Sequence, residues 1–449
     1  MGRKTRARSE GSSLMRVLAA FALILGLALN LPAVVALAAA DGPHIIRIRI
    51  DGIIAPSSAR YLLRAIREAE ASGARAVLVE LNTPGGLMKS MDEMTGAMLN
   101  ARVPIIVYIS PSGARAASAG VFVTYAANIA AMAPATRLGA AHPIAIGQDG
   151  QQQDSTAMEK VTNDAVAGIR AIARKRGRNA DWAEQAVRKS VSIDDEEAVK
   201  LDVVDLIAPN ADALLASVHG RTVETAAGSV TLATRAAAVR TLSMDPSERF
   251  LDLLSDPNIG LILMTVAIYG IIFELSNPGA ILPGVVGAIA LVLALASFAI
   301  LQVNVAGLAL IALSVVFFIA DIKVPGHGVL TIGGVLAFLF GALLLTERQA
   351  PFLRVSIQLA VFIALLTGGF FLFAVGAGIR AQRGRARMGS ESLVGAEGVA
   401  RTELAPAGMV YVAGETWSAT AEAGAIPEGS RVRVVSVDGL RLRVRPAAR

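Results

Sequence analysis

Hydrophobic positions after the N-terminal region first follow a strand–helix–strand pattern. Residues 44–50 alternate between apolar and polar side chains with a period of two, which predicts a β-strand. Residues 57–71 carry apolar side chains at helical spacing. Segments 76–81 and 104–109 are continuous apolar runs that predict buried strands, with a helix at 88–101 between them. This spacing is typical of parallel βαβ units.

The same kinds of pattern continue further along the chain. Residues 115–127 are rich in small side chains and predict a helix, and residues 159–176 and 182–189 predict two more. Residues 203–207 predict a short last strand. We therefore expect an α/β domain with a parallel sheet over residues 41–225.

The N-terminus has the pattern of a secretory signal. Residues 1–16 are polar and basic, and residues 17–40 carry no charge. Segments 36–38 and 38–40 both fit a cleavage site with small residues. The apolar run is also long enough to span a bilayer, so residues 1–40 are predicted to be a signal peptide or an uncleaved signal anchor. Both alternatives place the α/β domain outside the cytoplasm.

A second long apolar region extends over residues 258–378, after a segment at 226–257 that we expect to be a linker. Residues 275–320 contain no charged side chain, and this stretch is too long for one span of about 20 residues. Polar and Pro/Gly-rich breaks divide the region into spans, of which the third is short. The five predicted spans are 258–275, 281–301, 305–321, 328–345 and 355–378.

The C-terminal tail, residues 390–449, has a third pattern of short apolar segments. Residues 431–437 and 440–444 alternate between apolar and polar side chains, and Asp438-Gly439 between them is a hairpin signal. With three shorter segments before them, the tail predicts about five strands. That number in so short a segment indicates a small barrel such as an OB-fold.

The distribution of charge agrees with a membrane protein. Charged residues make up 17% of the chain and hydrophobic residues 54%, whereas soluble domains carry roughly 25% charged residues. The net charge is +6, and only seven of the 42 basic residues are lysine. Arginine clusters flank the apolar stretches, so we interpret the basicity as a topology signal and expect no nucleic-acid partner.

The arginines after the last predicted span fix the expected orientation. They are Arg380, Arg383, Arg385 and Arg387, and such clusters stay in the cytoplasm. We therefore predict a multi-pass protein of a bacterial-type inner membrane, with the α/β domain outside and the C-terminal domain in the cytoplasm. The chain has no cysteine, which excludes disulfides, thiolate metal sites and a cysteine nucleophile. No cofactor or metal is expected.

Ser118 is the first candidate for catalysis. It lies in the small-residue segment 113–120 (GARAASAG), after a predicted parallel strand, where a strand-to-helix turn exposes a nucleophile at the carboxyl edge of the sheet. The turn at 82–86 (NTPGG) follows the preceding strand, and its glycines can present backbone N–H groups to an oxyanion. The ordinary alternatives are small residues that pack a buried helix and a simple Pro-Gly turn.

A serine nucleophile needs a base, and the sequence offers two. His142 comes 24 residues after Ser118, which allows a Ser–His triad. The carboxylates that could orient this histidine are Asp149, Asp154 and Asp164. Lys160 comes 42 residues after Ser118 and would have to be neutral, a state that burial favours. It can equally be a surface lysine paired with Asp164 one helical turn away.

Four segments together resemble the NfeD family of membrane proteases. They are 82–86, 113–120, 133–140 and 160–164. That family is similar to Clp protease and to signal-peptide-peptidase A, and the resemblance covers nearly the whole chain. It implies an α/β domain of the crotonase/Clp-protease-like fold, followed by an α-helical transmembrane bundle and a small all-β OB-fold-like domain.

The resemblance also implies a serine endopeptidase with a Ser–Lys dyad. Ser118 matches the nucleophile and Lys160 the general base. His142 lies near the position of the Clp protease histidine and stays the second candidate base. The backbone N–H groups that match the oxyanion hole are those of Gly85 or Gly86 and of Ala119.

A partner follows from the same resemblance. The family implies a stomatin-like (SPFH-type) membrane protein, an apolar segment of which is the peptide substrate, and crotonase-like domains imply a homo-oligomer. The alternative from another class of function is a non-catalytic scaffold or assembly factor for a stomatin-like membrane protein.

Overall fold

A computed structural model describes residues 42–144, 155–235, 237–276, 279, 281–301, 303–323, 328–345, 354–383 and 393–447. The predicted signal region at 1–40 lies outside the described residues. The chain divides into two compact units, one formed by Met1–Ile319 with Gly333–Leu365 and the other by Ala320–Ile332 with Leu366–Arg449.

The α/β domain is built on a six-stranded parallel sheet with the order β11-β1-β2-β3-β5-β8. Its strands are β1 (His44–Asp51), β2 (Val77–Asn82), β3 (Ile105–Ile109), β5 (Ile129–Met132), β8 (Leu206–Ile207) and β11 (Ala238–Thr241). Strand β3 is buried along its whole length, as is typical of a parallel sheet covered on both faces. Ile46 and Ile48 pack into the core on one face and Ile45 into the core on the other.

Seven helices of the described residues accompany this sheet. They are α1 (Pro56–Ser72), α2 (Met88–Leu99), α3 (Ala119–Ala126), α4 (Ser155–Arg176), α5 (Ala180–Arg188), α6 (Asp195–Lys200) and α7 (Ala211–Ser217). Helix α1 ends at Gly73, whose left-handed φ of 67° suits a residue without a Cβ. Its buried face includes Leu62 and Ile66, at helical spacing.

The predicted helix at 115–127 is wrong in its first turn. Residues Arg115–Ala117 form a short strand, β4, and the helix begins only at Ala119. β4 pairs with β6 (Arg137–Gly139), which pairs in turn with β7 (Ser192–Asp194), so a second small sheet forms beside the first. Small residues gave a helical signal because alanine favours helices, whereas tertiary pairing with β6 makes the segment extended.

Residues 226–257, predicted as a linker, contribute to the α/β domain. After the hairpin β9 (Thr222–Thr225) and β10 (Gly228–Thr231), strand β11 pairs in parallel with β1. Helix α8 (Pro246–Leu254) then packs on α1. The four residues of β11 are Ala-Val-Arg-Thr, which lack the apolar/polar alternation by which the sequence could have indicated a strand, and all four are exposed.

Five apolar helices follow in the part of the chain that the structure describes. They are α9 (Pro257–Ser276), α10 (Ile281–Leu301), α11 (Val305–Lys323), α12 (Val329–Leu344) and α13 (Ile357–Arg383). The segments Pro257–Leu275 and Ile281–Leu301 are long and apolar enough to cross a membrane. These two helices pack closely, because a Cβ placed on Gly270 would lie 2.7 Å from the Cα of Gly287.

The C-terminal domain is a closed five-stranded barrel with the order β12-β13-β14-β16-β15. Its strands are β12 (Glu397–Ala400), β13 (Ala407–Val412), β14 (Glu415–Ala421), β15 (Arg431–Asp438) and β16 (Arg441–Pro446). Val410, Val432 and Leu442 fill its core, and closure leaves no unpaired edge. The hairpin predicted at Asp438-Gly439 joins β15 to β16.

Candidate active site

Ser118 occupies a strained strand-to-helix turn. It stands between β4 and α3 with φ 52° and ψ −116°, a backbone conformation that costs about 1–3 kcal/mol for a residue other than glycine. The surrounding structure holds it there: the Ser118 N–H donates to the carbonyl of Ala140 at 3.0 Å, and the Ser118 carbonyl accepts from the N–H of Val121 at 3.0 Å. Such a turn presents a nucleophilic hydroxyl at the edge of a sheet.

The turn at 82–86, which follows β2, is hydrogen-bonded to the segment that leads into Ser118. The Thr83 N–H donates to the Arg115 carbonyl at 2.7 Å, and the Ala117 N–H donates to the Thr83 carbonyl at 3.0 Å. Gly120, in the first turn of α3, lies so close that an added Cβ would be 2.6 Å from Cγ2 of Thr83. The structure therefore brings together the two turns that the sequence analysis singled out.

The two glycines of the 82–86 turn have different roles. The Gly85 N–H donates to Oγ1 of Thr83 at 3.1 Å, so it is already engaged. Ile54 forms a parallel bridge with Gly86 through the Gly85 carbonyl and the Leu87 N–H, at 2.8 Å each. In a parallel bridge of this kind, the N–H of the central residue points away from the partner strand. The Gly86 N–H therefore points away from Ile54.

Gly86 also has no room for a side chain. A Cβ at this position would lie 2.1 Å from the carbonyl oxygen of Ile54. Ala119 is the first residue of α3, and the first N–H groups of a helix have no partner within the helix. Gly86, Ser118 and Ala119 line one groove, so the residues that carry these two backbone N–H groups border the same cavity as the serine.

The groove has a volume of about 550 Å³. Its apolar walls come from the start of α1 and α2, from α3, from residues 141–144 and from one face of α4. Met88 and Val161 at the walls are 43% and 40% exposed, so apolar surface is open to a ligand. A groove of this kind suits an extended apolar peptide chain.

Lys160 lies beside this groove and not in its lining. It is exposed, in the second turn of α4. The residues that α4 contributes to the groove are Val161 and Ala165, which share one helix face. The structure thus brings the helix of Lys160 to the site, with the lysine about 100° around the helix from Val161 and outside the face that lines the groove.

A second lysine, Lys89, does line the groove. It is exposed at the start of α2, three residues after Gly86. Sequence reasoning missed it, although its position directly after the glycine turn is a signal that could have indicated it.

His142 is half-buried, and its neighbours Ala141 and Pro143 line the groove. Its Nδ1 lies 2.8 Å from the carbonyl oxygen of Val187 in α5. Of the carboxylates considered as orienting groups, Asp149 and Asp154 lie outside the described residues.

The third carboxylate, Asp164, is exposed on α4. Burial raises the pKa of Asp92 in α2, and the charge of Asp164 raises it further.

Family models match three consecutive parts of the chain. They are described as the NfeD1b N-terminal domain over residues 44–226, the NfeD integral membrane domain over residues 258–377, and the NfeD-like C-terminal, partner-binding domain over residues 390–446. A relative from Pyrococcus horikoshii, the membrane-bound protease PH1510, is 35% identical over 394 residues, which are 85% of this chain and 88% of the relative. The chain belongs to the NfeD family.

Other proteins are similar to this chain as well, and two of them are informative here. The membrane protein NfeD1b of Bacillus subtilis is 27% identical over 446 residues, 94% of this chain and 95% of that protein. A solved structure of 1510-N, described as a membrane-bound stomatin-specific protease in a lysine-to-alanine mutant with a substrate peptide, is 30% identical with a TM-score of 0.44. It covers 47% of this chain and 97% of that one.

The predicted family is therefore confirmed. The predicted succession of an α/β domain, a helical membrane region and a small β-barrel is confirmed as well. Among NfeD proteins, this chain is thus one with an N-terminal domain, a membrane domain and a partner-binding domain.

Proposed function

We propose that this NfeD protein is a membrane-bound serine endopeptidase with Ser118 as its nucleophile. The observation that carries the proposal is the strained conformation of Ser118, held by hydrogen bonds at the start of α3 and in one groove with Gly86. Strain of this kind persists only where the surrounding structure imposes it, and it occurs at functional sites. The description of the relative PH1510 as a membrane-bound protease supports the same function.

In the first half of the reaction, Oγ of Ser118 attacks the carbonyl carbon of the scissile peptide bond. Lys160, whose amine becomes neutral when the bound peptide buries it, accepts the hydroxyl proton. The negative charge that develops on the carbonyl oxygen is stabilised by the N–H groups of Gly86 and Ala119, which replace water as donors. When the C–N bond breaks, the lysine ammonium returns the proton to the leaving amine, and an acyl ester on Ser118 remains.

The second half repeats these roles with water. Lys160 takes a proton from a water molecule, whose oxygen attacks the ester carbonyl, and the same two N–H groups stabilise the second oxyanion. The ester bond breaks, Ser118 Oγ regains the proton from Lys160, and the carboxylic acid product leaves. Protons therefore balance over the cycle without a further group.

Lys160 is preferred over Lys89 and His142 as the base. Its segment, 160–164, is part of the resemblance to the family. Its flexible stem starts beside Val161, which lines the groove. His142 stays the second candidate: its Nδ1 donates to the Val187 carbonyl, which leaves Nε2 as the nitrogen that can accept a proton. Lys89 lines the groove and is the alternative lysine to test as the base.

The substrate we propose is an apolar segment of a stomatin-like membrane partner. The apolar walls of the groove support this class of substrate, and the description of the C-terminal domain as partner-binding supports a protein partner. We further propose that the α/β domain lies outside the cytoplasm, that the barrel lies inside it, and that the protein forms a homo-oligomer.

A second candidate function is a non-catalytic scaffold for the same kind of partner. One observation favours it: Lys160 is exposed and does not line the groove. A serine-reactive phosphonate separates the two functions. We expect it to label Ser118 in the folded protein, and Ser118→Ala and Lys160→Ala to abolish cleavage of an apolar test peptide. A folded protein that is neither labelled nor cleaves the peptide is a scaffold.

A further inference from the structure

The groove has one wall from the membrane region. Ala299 and Ile300, in the last turn of α10, line it together with Ser118 and Met88. Ala299 is exposed and Ile300 half-buried. The candidate active site is therefore bordered by a helix that is long and apolar enough to cross a membrane.

The end of α10 lies at the domain side of the membrane region. A Cβ on Gly260, near the start of α9, would be 2.7 Å from Oγ of Ser297 and 2.9 Å from Cε1 of Phe298. The start of α9 and the end of α10 are thus side by side, as in an antiparallel hairpin. Only residues 255–256 separate α9 from α8, so this end of the hairpin adjoins the α/β domain.

Helix α8 connects this end of the hairpin to the groove. Its Asp252 accepts a hydrogen bond from Oγ of Ser57 at 2.9 Å, and Ser57 follows Pro56, which lines the groove. Buried Glu248 accepts two more hydrogen bonds from the Arg64 guanidinium, at 2.8 and 2.7 Å. The groove, α8 and the membrane helices are therefore joined by short, direct contacts.

The other face of α8 is apolar and uncovered. Phe250 is 47% exposed and Leu253 is 56% exposed, and three residues apart they share a helix face. In α8, one face is polar and hydrogen-bonded to α1, the other is apolar and exposed, and a span follows directly. This combination is typical of helices that lie in the membrane interface. Helix α8 therefore has the exposed apolar face expected of a helix at the bilayer surface.

We propose that the groove opens at the bilayer surface, and that Ala299 and Ile300 form a wall that selects peptide segments emerging directly from the membrane. The proposal rests on the proposed protease function and adds where the substrate must lie. The occupant is an apolar, extended segment adjoining the membrane-embedded part of the partner. Only a short length of chain is needed for such a segment to enter the groove from the membrane. Its apolar side chains move from lipid to the apolar walls of the groove without exposure to water, which is favourable.

The test uses the full-length protein in vesicles with one apolar peptide, presented on a membrane-spanning anchor through linkers of increasing length. We expect the fastest cleavage with a linker of about five residues, which reaches roughly 17 Å when extended. The rate should fall for linkers of about 25 residues, because effective concentration decreases once the linker exceeds the span. An optimum at the long linker overturns the proposal, since the groove would then open away from the bilayer.

A matched pair of variants tests the wall itself. Ala299→Trp narrows the groove, whereas Val292→Trp adds the same ring at a position of α10 that is 66% exposed and outside the groove lining. We expect Ala299→Trp to lower kcat/KM for the anchored peptide about tenfold or more relative to Val292→Trp, with phosphonate labelling of Ser118 retained in both. Equal cleavage by the two variants overturns the role of the wall.

These outcomes are distinct from a failure of the proposed function. If the wild-type protein cleaves neither anchored nor free peptide and takes no phosphonate label, the protease proposal fails. If it is labelled and cleaves free and anchored peptides with no dependence on linker length, the protease proposal stands and the membrane-surface proposal is wrong.

Discussion

The two halves of the proposed dyad differ in how the fold holds them. Backbone hydrogen bonds to Ala140 and Val121 hold Ser118 in a strained conformation. Two further backbone hydrogen bonds of Thr83 join the turn at 82–86 to the segment that carries Ser118. Lys160 is an exposed residue near the start of α4. The proposed nucleophile and the proposed oxyanion donors thus belong to turns that hydrogen bonds hold in place, whereas the proposed base is an exposed side chain beside them.

This difference indicates that the two halves respond differently to mutation. Changes at the serine turn alter backbone geometry and therefore affect both folding and activity. Changes at an exposed lysine leave stability within about 0.5 kcal/mol, so any loss of activity there reports chemistry alone.

Replacing Ser118 with glycine should abolish activity and stabilise the protein. Loss of the hydroxyl is expected to lower kcat by a factor of about 10⁴ or more, and glycine relieves a positive-φ strain of about 1–3 kcal/mol. Peptide cleavage and thermal melting in detergent measure both effects. Ser118→Ala is the control, because it removes the hydroxyl and keeps the strain; equal melting temperatures for both variants would contradict the assignment of strain.

Replacing Lys160 with alanine should lower kcat by a factor of about 10²–10⁴, the usual contribution of a general base, without a change in melting temperature. Lys89→Ala is the matched control, since Lys89 is also exposed and lies in the groove, and it should retain activity within about tenfold. The reverse result assigns the base to Lys89. If His142→Ala alone loses activity, the lysine mechanism is wrong.

Gly86→Ala should lower kcat by a factor of about 10²–10³, the effect of losing one oxyanion donor. An added Cβ meets the backbone of Ile54 at 2.1 Å, so the turn has to move and its N–H with it. Gly96→Ala, at a helix position with open space, controls for the substitution type and should retain full activity. Full activity of Gly86→Ala would exclude this N–H from the oxyanion hole.

The contact between α1 and α8 holds the α/β domain together and lies outside the proposed dyad. Its loss should therefore affect the stability of the protein more than its catalytic rate. Glu248→Gln weakens its charged hydrogen bonds with Arg64 and should destabilise the protein by about 1.5–3 kcal/mol. Exposed Arg249→Gln is the control on the same helix. A Glu248→Gln protein that melts like this control would show that α8 is not pinned through this pair.

The smallest expected effect is a pH dependence at the start of α8. The backbone N–H of Glu248 lowers the pKa of Asp245, with further help from the hydroxyl of Ser247. A lowered pKa means that this stabilisation is present above about pH 3.9, the ordinary value of an aspartate, and is lost as the pH falls through the lower folded-state pKa. Asp245→Asn should keep the cap and show a slightly smaller loss of melting temperature between about pH 6 and pH 3. An unchanged loss would contradict this assignment.

The sequence was a good guide where a signal is local. Period-two alternation predicted β1, and a hairpin dipeptide predicted the β15–β16 connection. It was a poor guide where a distant partner decides. The exposed residues of β11 became a strand only because β1 lies beside them, and Arg115–Ala117 became a strand only through β6.

In the candidate site, too, some features follow from local sequence and others depend on distant residues. Its residue types, a serine among small residues and a glycine turn, were visible in the sequence, as was the NfeD family. The sequence did not show which glycine directs its N–H away from the paired strand. That direction depends on Ile54, in another part of the chain, which pairs with Gly86. Lys89 was missed although it follows the glycine turn, because the groove that it lines together with Ser118 exists only in the folded protein.

By itself, the sequence determined the order of an α/β domain, an apolar helical region and a small barrel, because hydrophobic periodicity and charge depend on neighbouring residues alone. Only the tertiary structure decided that two turns meet around Ser118 and that Ala299 and Ile300 of α10 wall the groove. Those contacts join residues far apart in the chain, and their geometry follows from packing in three dimensions, on which local periodicity carries no information.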